Sequence, residues 1–133
     1  MLFICTHNSA RSQMAEGLTN RYFSDTITAF SAGTNPGQVH PMAIKVMAEK
    51  GIDISGNRSK HLNEFKEQDM DLVITVCDGA NEICPFFPGA KDQEHAGFPD
   101  PAAVEGPENE RMDAFRRVRD EISDFILTRF AGI

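Results

Sequence analysis

The stretch Leu2-Phe3-Ile4-Cys5-Thr6-His7-Asn8-Ser9-Ala10-Arg11-Ser12 decides the fold. Leu2 to Cys5 is an unbroken apolar run, the pattern of a short strand buried on both faces. The polar segment Thr6 to Arg11 then interrupts it. Beyond that segment Met14, Leu18 and Tyr22 recur every four residues, one face of a helix that begins near Ser12. A buried strand, a polar loop and an amphipathic helix in direct succession predict an α/β fold.

The rest of the chain keeps that alternation. Thr26 to Ala32 is rich in β-branched residues and stops at Gly33, which predicts a second strand. Asn35-Pro36-Gly37 marks a turn, and Pro41 opens a helix with Ala43, Val46 and Met47 on one face, closed by Gly51. Asn63 to Gln68 reads as a short helix. Leu72 to Val76 is the strongest strand signal, and Cys77 ends it. Asp78 to Asp100 reads as loop, with His95 to Phe98 its one short strand. Phe115, Val118, Ile122, Phe125 and Ile126 lie at helical spacing in a last helix from about Glu108 to Phe130. No repeat or linker divides residues 1–133, so one domain is expected, with a parallel sheet and helices on both faces. Cys5 and Cys77 both fall at carboxyl ends of predicted strands, the edge where open parallel sheets bind ligands.

Composition narrows the class. The 133 residues are 41% hydrophobic and 25% charged, ordinary for a globular chain long enough to build a core without disulfides or structural metal. Acidic residues outnumber basic ones 20 to 13, and the net charge of −7 disfavours nucleic acid and anionic membranes as partners. The amino terminus lacks the basic region of a signal peptide, and no run of about 18 apolar residues occurs, so a cytoplasmic protein is expected. Cys5, Cys77 and Cys84 are an odd number for a disulfide framework, contain no C-x-x-C and fit no zinc spacing. No metal is expected. Taken alone, the thiols are either small buried hydrophobes or chemistry.

The Cys5 loop favours chemistry. Cys5 to Ser12 has the form C-x5-R-S between a strand and a helix. Five intervening residues let the backbone N–H groups of Thr6, His7, Asn8, Ser9 and Ala10 curl inward as an anion nest. The helix at Ser12 adds its positive end, and Arg11 supplies a planar fork for two oxygens of an oxyanion. An electropositive ring of this kind favours thiolate over thiol at its centre. The Ser12 hydroxyl is within reach of the same sulfur. Residues 6–12 therefore read as an oxyanion site facing a nucleophile.

Cys5 to Gly17 resembles the phosphate loop of the low-molecular-weight protein tyrosine phosphatase superfamily, and more narrowly that of thioredoxin-coupled arsenate reductases built on the same fold. Ser31-Ala32-Gly33, Gly51 to Ser55, Asp71 to Cys77, Gly97-Phe98-Pro99-Asp100-Pro101 and Arg116 to Ile122 extend the resemblance over nearly the whole chain. It implies a single-domain, three-layer fold with a four-stranded parallel sheet flanked by helices. Both activities would use Cys5, Arg11 and Asp100 as general acid. Three features favour the reductase: Cys77 and Cys84 have no task in a phosphatase, Gln13 stands where phosphatases usually carry proline, and Ala102-Ala103 follow Asp-Pro where phosphotyrosine enzymes carry aromatic residues. The alternative is phosphomonoester hydrolysis through a cysteinyl-phosphate. A non-catalytic oxyanion-binding module is the remote third reading, and the presence of both nucleophile and acid speaks against it.

The resemblance also implies a relay. Cys5 attacks arsenate, Cys77 attacks Cys5 as arsenite leaves, and Cys84 attacks Cys77, leaving a Cys77–Cys84 disulfide for thioredoxin. The segment Asp78 to Ile83 is small and polar enough to unwind, and Gly79 permits backbone excursions. No tightly bound cofactor is implied, and a monomer is expected. Some such reductases hold potassium through residues matching Asn8, Glu16, Ser31 and an aspartate; here that aspartate is Lys60, which argues against the site. Asp100 has a structural alternative as a turn cap before Pro101. His7, where many relatives carry glycine, is a solvated residue or an oxyanion contact. His40, His61 and His95 show no ligand pattern and are expected on the surface or in hydrogen bonds.

Overall fold

The computed structural model describes residues 1–79, 82 and 84–133. Four parallel strands form one sheet: β1 (Leu2–Cys5), β2 (Phe30–Gly33), β3 (Met70–Thr75) and β4 (Ala90–His95), in the order β2-β1-β3-β4. The chain leaves β1 for one side, to β2, and later fills the other side with β3 and β4. The gap between β1 and β3 is therefore the point where the sheet's winding reverses, and crevices form there at the carboxyl ends. Register places Ile4 opposite Thr75, so Cys5 and Cys77 emerge from adjacent central strands.

Three helices, α1 (Arg11–Tyr22), α2 (Pro41–Ala48) and α3 (Glu108–Arg129), pack on one face of the sheet. Met14 and Leu18 of α1, Val46 and Met47 of α2, and Phe115, Val118, Ile122 and Ile126 of α3 share a buried cluster with Phe3 and Ile74. Each of those large side chains contributes roughly 1.5–3 kcal/mol by leaving water. The other face carries Leu2, Ile4, Ala32 and Val73, covered by Phe65 from a 3₁₀ turn (Leu62–Phe65) and by Phe87. The expected four-stranded parallel sheet is present; helices were expected on both faces, but the three α-helices share one, and the other is covered by the 3₁₀ turn and Phe87. Among the described residues no helix is long and apolar enough to cross a membrane.

Beyond shifts of a residue or two at other element ends, three readings differ from the structure. β2 begins only at Phe30, because Thr26 and Ile27 donate back to the Phe23 carbonyl and close the turn after α1. The short helix expected at 63–68 is the 3₁₀ turn Leu62–Phe65. The fourth strand is Ala90–His95, not His95–Phe98. Its sequence, Ala-Lys-Asp-Gln-Glu-His, has no apolar alternation because it is an edge strand with mostly polar side chains. Of the segment expected to unwind, Ala80, Asn81 and Ile83 lie outside the described residues.

Candidate active site

The loop between β1 and α1 is bent by one residue. Asn8 has φ +49°, a left-handed conformation that asparagine tolerates better than most residues. Its fully buried side chain is held on every side: Nδ2 donates to Ser12 Oγ at 2.8 Å, while Oδ1 accepts from the Lys60 N–H at 3.0 Å and from Gln13 Nε2 at 2.9 Å. Gln13 is equally buried, donates also to the Arg58 carbonyl at 3.0 Å and accepts from Asn57 Nδ2 at 3.0 Å. Proline at position 13 could make none of these side-chain bonds. Gly33 closes the loop's other side. A Cβ there would lie 2.6 Å from the Thr6 carbonyl oxygen and 2.9 Å from the Asn8 nitrogen, so only glycine lets β2 approach.

Cys5 Sγ sits inside this frame, buried and free, 2.9 Å from Ser12 Oγ and accepting from the Asn8 N–H at 3.2 Å. Helix α1 starts beside it with no side-chain cap and no acidic residue in its first turn, so its N–H groups and dipole face the loop uncompensated. Arg11 is buried and steadied by the Phe98 carbonyl, which accepts from Nη1 at 3.1 Å. Ser9 lends its carbonyl to the His40 N–H, tying the loop to the start of α2.

One residue at the site had no signal in the sequence: Glu82. Its carboxylate takes the Arg11 fork in two bonds, Nη1 to Oε1 at 2.5 Å and Nη2 to Oε2 at 2.9 Å. Thr6 Oγ1 donates to the same carboxylate, as does the Asp78 N–H at 3.1 Å. Burial alone would raise the Glu82 pKa, but Arg11, Thr6 and Asp78 outweigh it and hold it at about 2. Burial also works to lower the Arg11 pKa, yet Glu82, Cys5 and Asp100 keep it above its ordinary value. Glu82 lies five residues after Cys77 and two before Cys84, and that spacing does not say which cation it meets.

Asp100 sits in two relations at once. Oδ1 accepts from the Ala102 N–H at 2.9 Å and caps a 3₁₀ turn (Pro101–Ala103), while Oδ2 lies 3.9 Å from Arg11 Nη2. Thr6, His7, Asp78, Glu82, Pro99, Asp100 and Ala103 line a cleft of about 380 Å³ above the loop. No phenylalanine or tyrosine is among these lining residues. His7 is exposed, with its Nδ1 3.0 Å from the Asn35 carbonyl oxygen.

Cys77 and Cys84 are joined in a disulfide, with Cα atoms 6.1 Å apart. His95, which showed no pattern in the sequence, closes β4 beside them: its ring nitrogen and the two sulfurs lie within 4.8 Å of one another. Thr75 Oγ1, 2.8 Å from Nδ1, orients that ring. This trio could hold a soft metal ion only after reduction, since here the sulfurs bind each other. Of the residues matching a potassium site, Ser31 and Glu16 meet, with Ser31 Oγ donating to Glu16 at 2.9 Å. Lys60 Nζ, however, lies 4.0 Å from the same carboxylate. Burial lowers the Lys60 pKa and raises that of Glu16. The set carries its own cation and does not fit potassium.

The profile of the low molecular weight phosphotyrosine protein phosphatase family matches residues 1–130. The chain belongs to that family. Within it, the arsenate reductase of Halalkalibacterium halodurans is 47% identical over 126 residues, covering 95% of this chain and 91% of that one. A solved arsenate reductase in the phosphate binding state superposes with a TM-score of 0.79 at 33% identity, covering 99% of this chain and 96% of its own. A thioredoxin-dependent arsenate reductase from Corynebacterium glutamicum matches with a TM-score of 0.62 at 29% identity, covering 96% of this chain and 61% of the longer protein.

Proposed function

We propose that this family member reduces arsenate to arsenite by a relay of three thiols, with thioredoxin as the external reductant. The observation that carries the reading is the thiol inventory: Cys77 and Cys84 share a disulfide while Cys5 remains a free sulfur inside an oxyanion loop. That is the state such a relay ends in.

The steps balance as follows. Arsenate sits on the N–H groups of residues 6–12 and the Arg11 fork, and the Cys5 thiolate attacks arsenic. Asp100 gives a proton to the departing oxygen, which leaves as water. Cys77 thiolate then attacks Cys5 Sγ; the S–As bond breaks, its electron pair passes to arsenic, and arsenite departs. Cys84 thiolate attacks Cys77 in the resulting Cys5–Cys77 disulfide and returns Cys5 as thiolate. Thioredoxin's dithiol reduces Cys77–Cys84, each exchange being thiolate attack on sulfur. The frame of Asn8, Gln13 and Gly33 supports this by holding the nucleophile still, and Ser12 by donating to the sulfur.

The test is NADPH oxidation with thioredoxin and thioredoxin reductase, run beside hydrolysis of a small aryl phosphate. Oxidation that requires both arsenate and thioredoxin is the expected result. Aryl phosphate turnover with no arsenate-dependent oxidation would make the chain a phosphatase.

A further inference from the structure

We propose that Glu82 is the protein's own anion: it occupies the Arg11 fork while Cys77 and Cys84 are joined, so that oxyanion affinity follows the redox state of that pair. The proposal deepens the reductase reading and rests on it for its biological sense.

Among the described residues, the Glu82 pair is shielded more than the other arginine–carboxylate pairs. Arg58–Glu64 and Arg116–Glu49 are exposed on both sides, whereas the Arg11 and Glu82 side chains are 3% and 17% exposed. Exposed pairs contribute little, but a shielded two-bond pair is strong and geometrically selective. Glu82 also takes the Thr6 hydroxyl and the Asp78 N–H, and the Arg11 fork it fills is the one an oxyanion above Cys5 would need. Two anions cannot share one fork. Arsenate or phosphate must displace the carboxylate, and its apparent affinity falls by the fraction of time Glu82 is seated.

Redox coupling follows from where Glu82 sits in the chain. It lies between the two cysteines, inside a loop that the disulfide closes over a sequence separation of seven. A closed loop this short keeps the carboxylate at high effective concentration beside Arg11; opening it widens the space Glu82 explores. After arsenite leaves, Glu82 would keep the Arg11 fork filled and hold off fresh arsenate until electrons arrive. A new Cys5 adduct would otherwise form with no thiol ready to complete the reaction. Linkage makes the effect reciprocal: an anion that prefers the reduced protein makes the Cys77–Cys84 disulfide easier to reduce.

The experiment titrates inorganic phosphate calorimetrically into the oxidised protein, verified by thiol count and disulfide mapping, and into the fully reduced protein. Oxidised wild type is expected to bind phosphate at least about tenfold more weakly, and Glu82→Gln to remove most of that difference. Equal affinity in the two wild-type states overturns the proposal, as does a difference that persists in Glu82→Gln. Should Glu82→Gln fail to fold, the wild-type protein supplies a second readout. Saturating phosphate should raise the disulfide's reduction potential by about 30 mV per tenfold affinity ratio, and an unchanged potential overturns the proposal equally. Neither readout uses arsenate turnover, so failure here and failure of the reductase reading are separate results.

Discussion

The Cys5 loop and the Cys77–Cys84 region carry sulfur for the same proposed reaction and are built on opposite principles. Around Cys5 the backbone is over-determined: Asn8 is held by three partners, Gln13 braces it, and Gly33 admits β2 to contact distance. Around Cys77 and Cys84 the ties among the described residues are of another kind. They include the disulfide, the neighbouring His95 ring and the Glu82 carboxylate, whose strongest hold is a charge pair that another anion can take. A nucleophile that must meet arsenic in one geometry profits from rigidity. Thiols that must change partners in turn cannot be fixed to one.

The largest effect expected from this contrast comes from paired serine variants. Cys5→Ser should release no arsenite at all. Cys84→Ser should release about one arsenite per protein and stop, trapped as a Cys5–Cys77 disulfide. Thioredoxin would reach that bond poorly, because Cys5 is recessed within the loop. Rapid quench with disulfide mapping reads both. Full multiple turnover in Cys84→Ser would remove Cys84 from the mechanism and leave the Cys5 loop to account for the reaction.

The two regions were also unequally legible in the sequence. The Cys5 loop announces itself because strand, loop and helix follow one another directly, and its anion-binding groups are local in the chain. Lys60 and Gln13 were visible as departures from a pattern, although their contacts with Glu16 and Asn8 needed the fold. Glu82 and His95 stayed hidden for a physical reason. Glu82 meets Arg11 across 71 residues, and His95 reaches the cysteines only because β4 lies against β3. That strand was itself misplaced, since its polar edge composition mimics a loop. Tertiary juxtaposition leaves no periodicity to read.

Asp100 belongs to the rigid side if it is the general acid. Asp100→Asn retains the cap on the Ala102 N–H through its side-chain oxygen but cannot supply the proton. Formation of the thiol–arsenate adduct should slow by roughly 10²–10⁴-fold in single turnover, with folding stability nearly unchanged. An unchanged adduct rate would reduce Asp100 to its capping role.

Gly33→Ala tests the rigidity itself without touching a reacting group. The added Cβ meets backbone atoms of Thr6, Asn8 and Cys5, none of which is the far end of a flexible side chain. The loop must shift, at an overpacking cost of about 1–3 kcal/mol. Arsenate reduction should fall by about tenfold or more, whereas dithiothreitol reduction of Cys77–Cys84 should keep its wild-type rate. If both rates fall together, the two regions are one mechanical unit and the contrast fails.

The smallest effect is expected from a site remote from both regions. Glu49 pairs with Arg116 at 2.8 Å and Arg119 at 2.7 Å, clamping the end of α2 to α3. Hydrogen bonds from Arg116 and Arg119 hold its pKa down from 4.5 to about 2. A depressed folded-state pKa contributes stability that is fully present above about pH 4.5 and lost as pH falls toward 2. Because the carboxylate is solvent-exposed, screening limits the contribution to about 1 kcal/mol or less. Glu49→Gln should therefore lower stability slightly at pH 7, and urea unfolding should show the gap from wild type closing between pH 4.5 and 2. Arsenate turnover by the folded variant should match wild type, because neither sulfur region rests on this clamp. A gap that persists undiminished at pH 2 would assign the Glu49 effect to packing, and a loss of turnover would show that the α2–α3 contact reaches the Cys5 loop through the His40–Ser9 bond.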